Sequence, residues 1–295
     1  FKLVAELKIL IKKDNIHHIV AGQILPVGTV ALFLKKMGYI DSFSVSCHSM
    51  DIAHISGYKK LLVKYIFQNI DHVFVNSIYT KNLVKEYGVK SNIISIVYPA
   101  PKLLPLGNYN MRTKNNIGKD DIVLLSVGRL VRRKGFDKVI EVLPRLWKKY
   151  SNIQYVIIGE GRDKEYLESL IKELPKDKKT KVKMLGRIND KELSDWYFSS
   201  DIFVLPSRDI NGDVEGFGIV NLEASFQGLP IVVGNEGGVS ETVLHNITGY
   251  SIDGNNINEL ESVLENLINN SDKRKAMGIT GSDFAKNFSW QKSAE

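Results

Sequence analysis

The sequence has 295 residues, 43% of them hydrophobic and 25% charged, with a formal net charge of +7. That is enough chain for two ordinary domains, and it carries no compositional sign of disorder. A single cysteine, Cys47, excludes an internal disulfide and a multi-cysteine zinc site, and its plain reading is core packing.

No apolar run approaches the roughly 20 residues that cross a bilayer, and Phe1 to Lys13 lacks the layout of a signal peptide, so a cytoplasmic location is expected. A chain opening on Phe1 and stopping at Glu295 without a terminating turn is expected to be cut at both ends. Of the 40 bases and 33 acids, residues 1–107 hold 13 lysines, no arginine and 6 acids, leaving 27 of each for the rest. The first domain therefore carries the whole excess. A basic face fits peripheral contact with anionic lipid headgroups, at about 1 kcal/mol per well-placed lysine. Scattered solvated lysines are the plainer reading, and no base-reading motif accompanies them, so nucleic acid is not an expected partner.

In chain order, short apolar runs alternate with helical stretches: His17 to Gly22, Gly28 to Lys36, Phe43 to His48, Lys60 to Ile70, His72 to Ser77, Thr80 to Tyr87 and Ile93 to Tyr98. This is βαβ order. Pro99, Pro101, Pro105 and Gly107 break it, and the polar segment Asn108 to Asp121 reads as the linker, giving domains 1–107 and 108–295. From there strands are expected at Ile122 to Val127, Gln154 to Ile158, Val182 to Leu185, Ile202 to Leu205, Ile231 to Val233 and Tyr250 to Ile252. Helices are expected at Phe136 to Tyr150, Lys164 to Leu174, Lys191 to Phe198, Phe217 to Gln227 and Ile257 to Ile268. Nearly unbroken Val, Ile and Leu in the strands predicts parallel sheets covered on both faces. The fold class is thus α/β, two doubly wound Rossmann-like domains facing a cleft, the first incomplete. Ligands on such sheets bind beyond the carboxyl ends of the strands.

The loops at those ends carry the chemistry. Gly128-Arg129-Leu130-Val131-Arg132-Arg133-Lys134-Gly135 brings four cations before a helix, without the spacing of a P-loop; a solvated basic loop is the competing reading. Gly159-Glu160-Gly161 resembles half a dinucleotide fingerprint, but Lys164 stands where its third glycine belongs. Gly186-Arg187-Ile188 is placed to border a nucleobase, or is a simple turn. Asp213-Val214-Glu215-Gly216-Phe217-Gly218-Ile219 leads into a helix, whose N–H groups from Gly216 to Ile219 would hold an anion. Glu223 follows eight residues after Glu215. On a helix that spacing is roughly 12 Å of rise and about 80° of rotation, too far apart for one reacting atom and suited to two ends of a long ligand. Glu215 complementing the helix dipole, with Glu223 solvated, is the alternative. Gly234 to Glu241 permits close backbone approach. No Asp-x-Asp occurs, so no metal site and no cofactor are expected. In the first domain Ser46-Cys47-His48-Ser49-Met50-Asp51 ends a strand.

Arg129 with Lys134-Gly135, Gly159-Glu160-Gly161, Leu185-Gly186, Glu215-Gly216-Phe217-Gly218 through Glu223-Ala224, Gly228-Leu229-Pro230 and Gly237-Gly238 to Glu241 together resemble glycosyltransferase family 4, of GT-B fold. His48-Ser49-Met50-Asp51 is similar to the family's His-Gly-x-Asp turn, with Ser49 in place of the glycine. The family's glycine-rich loop near the start of its first domain is not present. The resemblance implies retaining transfer of a hexose from a nucleotide-diphosphate sugar to a lipid-linked or glycan acceptor. Within it Arg129 and Lys134 hold the diphosphate, Glu215 the sugar hydroxyls and Glu223 the ribose. His48 meets the sugar, and the backbone at Gly218 and Ile219 holds a phosphate oxygen. Phe217 and Gly128 line the donor site, as do Arg187 and Ile188. Asp213-Val214-Glu215-Gly216 resembles lipid-directed mannosyltransferases, which favours GDP-mannose over a UDP-sugar. An epimerase-like GT-B enzyme and a nonenzymatic sugar-nucleotide-binding fragment are the alternatives.

Overall fold

The computed structural model describes residues 2–102 and 104–294. By its contacts the chain divides into two compact units, one reaching to Tyr98 and one running from Pro99 to Ser293.

The first unit runs α1 (Lys2–Asp14), β1 (His18–Ala21), α2 (Thr29–Lys36), β2 (Ser42–Cys47), α3 (Ser49–Ala53), α4 (Tyr58–Asn69), β3 (His72–Val75), α5 (Ile78–Glu86) and β4 (Ile94–Ile96). Its four strands are parallel in the order β1-β2-β3-β4. Phe43, Val45, Ile66 and Val73 are fully buried between sheet and helices. Cys47 is buried as well, and burial, with the charge of Asp51 added, pushes its thiol up to about 12.

The second unit runs α6 (Met111–Lys114), β5 (Ile122–Val127), α7 (Phe136–Trp147), β6 (Ile153–Ile158), α8 (Lys164–Glu173), β7 (Val182–Met184), α9 (Asp190–Ser199), β8 (Ile202–Leu205) and α10 (Ile219–Phe226). It finishes with β9 (Ile231–Gly234), β10 (Gly249–Ile252), α11 (Ile257–Asn269), α12 (Ser271–Ala285) and α13 (Trp290–Ala294). Six parallel strands lie in the order β10-β9-β8-β5-β6-β7. β6, β8 and β9 are buried at every position, the expected result for continuous apolar runs in a sheet covered on both faces. From β5 the chain winds outward to β6 and β7, then returns to β8 on the other side of β5. The order therefore reverses between β5 and β8, and ligand crevices in open α/β sheets form at such a point.

Three expectations change. The segment read as a linker is packed onto the second unit. The backbone N–H groups of Asn108 and Tyr109 both donate to Asp195 Oδ1 at 3.1 Å, and Arg112 Nη2 lies 2.6 Å from Asp201 Oδ2. Its polar side chains find partners on α9 and at the start of β8, which composition alone does not reveal. Helix α10 begins at Ile219 rather than Phe217, because Gly218 adopts a left-handed conformation, φ 91°, that no helix contains. Helix α12, unassigned from the sequence, packs against α10. Among the described residues no helix is long and apolar enough to cross a membrane.

Candidate functional site

The reversal point is lined by the loops that leave β5 and β8. After β5 the chain passes Gly128, makes a tight turn at Arg132–Lys134 and enters α7 through Gly135. Gly135 has φ 79°, and a Cβ there would run into the carbonyl oxygen of Pro206 in the loop after β8. Only glycine brings the two loops this close. The Arg208 N–H then donates to the Arg133 carbonyl at 2.8 Å, fixing their register.

This turn gives the three arginines three fates. Arg129 is exposed. Arg132 lays its guanidinium 3.3 Å from the ring centroid of Tyr166 on α8. Arg133 turns inward, 7% exposed, with its Nε 2.9 Å from Asp213 Oδ1 and its Nη1 hydrogen-bonded to Glu215 Oε2. Lys134, also buried, places Nζ 2.5 Å from the same Glu215 oxygen and runs past Gly128. Burial by itself would raise the Glu215 carboxyl; Lys134 and then Arg133 outweigh it and hold the group below its ordinary value. Glu215 is thus a fixed anion locked to two cations, a poor candidate for proton transfer and a good one for orienting neighbours.

The loop after β9 supports this arrangement from behind. Gly238 N–H donates to the Glu215 carbonyl at 3.0 Å, and Asn221 in the first turn of α10 donates through Nδ2 to Thr242 Oγ1 at 3.0 Å. Beside the turn, Gly159 and Gly161 abut the backbone of Gly128 and Leu130 so tightly that no side chain fits. Their resemblance to a dinucleotide fingerprint is thereby explained: these glycines let two loops pack, with Leu130 N–H donating to the Glu160 carbonyl at 3.0 Å.

The structure brings Gly128, Lys134, Glu215 and Gly218 into one neighbourhood, with Arg133 and Asp213 added by the fold. Glu215 lies in the loop before α10, so the helical separation drawn between Glu215 and Glu223 does not apply to them. Phe217 is buried with its ring 5.7 Å from that of Phe288, so its side chain belongs to the packing of this unit. Ile219 opens α10 partly exposed. Glu223, one turn further along, accepts a 3.4 Å hydrogen bond from the Lys102 N–H. Burial raises the Glu223 carboxyl, a rise the Lys102 contact only partly offsets. The phenol of Tyr197, fully buried beside it, is pushed well up by burial and then by the Glu223 charge. Arg187 is exposed and Ile188 half-buried against the core, in the turn between β7 and α9. His48 belongs to the other unit, exposed at the carboxyl end of β2, where its N–H donates to Asp51 Oδ2 at 2.9 Å.

Sequence reading missed Arg208 and Asp137. Arg208 grips Asp137, in the first turn of α7, through two bonds of 3.0 and 2.7 Å, both side chains buried. Their separation of 71 positions carries no local signal. Among the described residues no three His, Cys, Asp or Glu side chains gather as a metal site.

Two parallel α/β units of Rossmann-like build, the second with a charged cluster where its strand order reverses, define the GT-B class of glycosyltransferase fold. The model for glycosyl transferases group 1 matches residues 108–283, and the chain belongs to that family. It is 35% identical over 184 residues to a GDP-mannose-dependent monoacylated alpha-(1-6)-phosphatidylinositol monomannoside mannosyltransferase of Corynebacterium glutamicum, covering 61% of this chain and 47% of that one. The chain thus spans about half the length of that relative. An uncharacterized glycosyltransferase of Methanocaldococcus jannaschii is 28% identical over 289 residues, covering 97% of this chain and 75% of that protein. Among solved structures, Anabaena HepE in complex with UDP and glucose superposes with a TM-score of 0.81 at 19% identity, over 99% of this chain and 78% of that one.

Proposed function

We propose that the protein is a retaining hexosyltransferase, moving a hexose from a nucleotide-diphosphate sugar to a lipid-linked or glycan acceptor, with GDP-mannose preferred to a UDP-sugar. The observation that carries this reading is the cluster in which Lys134 and Arg133 meet Glu215 at the strand reversal, three residues before the glycine that opens α10. An ammonium has three donors. With one on Glu215, Lys134 keeps capacity for a diphosphate, and Arg129, exposed on the same loop, adds a second cation. The N–H groups at the start of α10 supply a positive helix end. Bond breaking would run ahead of attack, so that charge grows on the leaving diphosphate while the sugar becomes oxocarbenium-like. These preorganised charges would stabilise it, and the departing phosphate would take the acceptor's proton. Glu215 would orient the sugar hydroxyls, Glu223 would hold the ribose, and His48 would meet the sugar. The preference for GDP-mannose is supported by the kinship to the corynebacterial mannosyltransferase.

A thermal-shift screen over GDP-mannose, UDP-glucose and UDP-N-acetylglucosamine tests the reading. A ligand at 100 times its dissociation constant adds about 2.7 kcal/mol of stability, so the true donor shifts the transition by several degrees. Absence of a shift with every sugar nucleotide would overturn the assignment.

Glu223 supplies a pH dependence. Only the ionised carboxylate accepts two ribose hydroxyls, and burial raises its pKa. Donor affinity is therefore full above that raised value and falls as pH drops through it, by roughly tenfold or more for the loss of a charge-assisted bond. Glu215, held low, does not titrate in that window. Calorimetry across the acidic range should show this loss in the native protein and a flat profile in Glu223→Gln.

A further inference from the structure

Helix α4 has two apolar faces. Val63, Ile66 and Phe67 are buried in the core of the first unit. Tyr58, Leu61 and Tyr65, spaced three and then four residues apart, fall on the opposite side of the helix and are 76%, 72% and 48% exposed. Core burial accounts for the first stripe and leaves the second, open to water, without a reason in the fold. Helix α2 extends the second stripe. Phe33 on its outer side and Met37, just past its last residue, lie four residues apart, both about half exposed. The two helices pack together, and Lys36 Nζ on α2 sits 5.9 Å from the ring centroid of Tyr65 on α4.

The charge on this face has one sign. Neither helix contains Asp or Glu, and between them they carry Lys35, Lys36, Lys59, Lys60 and Lys64. Lys35 is paired with Asp71 at 2.7 Å, whereas the other four lysines are exposed. Large apolar groups rimmed by lysines, with tyrosines among them, match a boundary that is apolar below and anionic above. The tyrosine ring suits such a boundary with one end in each phase, and a lysine buries its stem while keeping its ammonium at the phosphates.

We propose that α2 and α4 form a docking surface for an anionic lipid bilayer. Tyr58, Leu61, Tyr65, Phe33 and Met37 enter the headgroup layer, and Lys36, Lys60 and Lys64 lie against lipid phosphates. Nucleic acid offers the same phosphates but no use for Leu61 or Met37. The inference takes its purpose from the transferase reading, since a lipid-linked acceptor resides in a membrane, and its evidence from this face alone.

Flotation of the full-length protein with vesicles of phosphatidylcholine, alone or mixed with phosphatidylglycerol, tests it. The protein should float with the mixed vesicles, less so as salt is raised. Lys60→Gln combined with Lys64→Gln should weaken binding by about thirtyfold, some fivefold for each lysine. Leu61→Asp combined with Tyr65→Ser should abolish it. No binding, equal binding to phosphatidylcholine alone, or binding unchanged in both double variants overturns the proposal. So does a change in oligomeric state of the Leu61/Tyr65 variant by sedimentation, which would make the face a contact between copies of this chain. The donor thermal shift, measured on the same proteins, separates the two readings. Loss of flotation with the shift intact fits docking as a distinct property. Flotation of a protein that no sugar nucleotide stabilises overturns the transferase reading and leaves the docking surface standing.

Discussion

Replacing Lys134 with alanine is expected to cut sugar transfer by roughly two to three orders of magnitude, the loss typical of one preorganised donor aimed at developing charge, about 3 to 4 kcal/mol. Lys134 has a double role in the proposed site. Its ammonium sits 2.5 Å from Glu215, and it is the first of the two cations that keep this buried carboxylate ionised. Removing it takes a positive charge from the diphosphate and leaves Glu215 held by Arg133 alone. The Glu215 pKa then rises, and the stability this group contributes, present above its ordinary value and lost as pH falls through its depressed one, begins to disappear at higher pH. Two measurements distinguish the effects. Single-turnover transfer at neutral pH should show the large rate loss, and acid unfolding should begin at higher pH than in the native protein. Near-native turnover in Lys134→Ala would remove the lysine from the chemistry.

Arg208→Ala should destabilise the second unit by about 3 to 5 kcal/mol, the cost of leaving one member of a buried ion pair without its partner. Both side chains are under a tenth exposed, and the two guanidinium bonds at 3.0 and 2.7 Å satisfy both Asp137 oxygens. By the usual scaling for a unit of this size, the thermal midpoint falls on the order of 10 °C. The double variant Arg208→Met with Asp137→Leu should recover most of that loss, because well-packed apolar groups replace a buried ion pair at little cost. Donor binding provides the second readout. Arg208 also holds the Arg133 carbonyl through its own backbone N–H, which alanine and methionine both retain. The donor-induced shift of the double variant should therefore stay close to native, and a collapsed shift would mean that the ion pair itself shapes the 132–135 turn.

How far the sequence could be read varied by element. β5, β6 and β8 were legible as nearly unbroken apolar runs, and α7 because Phe136, Val139, Ile140, Leu143 and Trp147 repeat at helical spacing and are all buried. Helix α12 was not. Gly278 and Gly281 interrupt it, because Gly278 passes against the Gly228 carbonyl where α12 meets the end of α10. A residue selected for close approach breaks the periodicity by which a helix is recognised. The start of α10 moved by two residues for a related reason: the left-handed Gly218 ends the loop, and φ at a glycine cannot be read from its neighbours.

By itself the sequence determined the parallel α/β class, the strands whose ends carry the charged and glycine-rich loops, and the residue types of the cluster proposed as the donor site. Each of those is a local property, set by apolar runs, by glycines before helices and by charge within a few residues. The tertiary structure alone decided which of three arginines turns inward, that Glu215 is clasped by Arg133 and Lys134, and that Arg208 meets Asp137. It also decided that α2 and α4 share one exposed apolar face. All of these depend on segments far apart in the chain being brought within a few ångströms, above all where β5 lies next to β8. Strand order and loop packing set that proximity, and no window along the chain contains it.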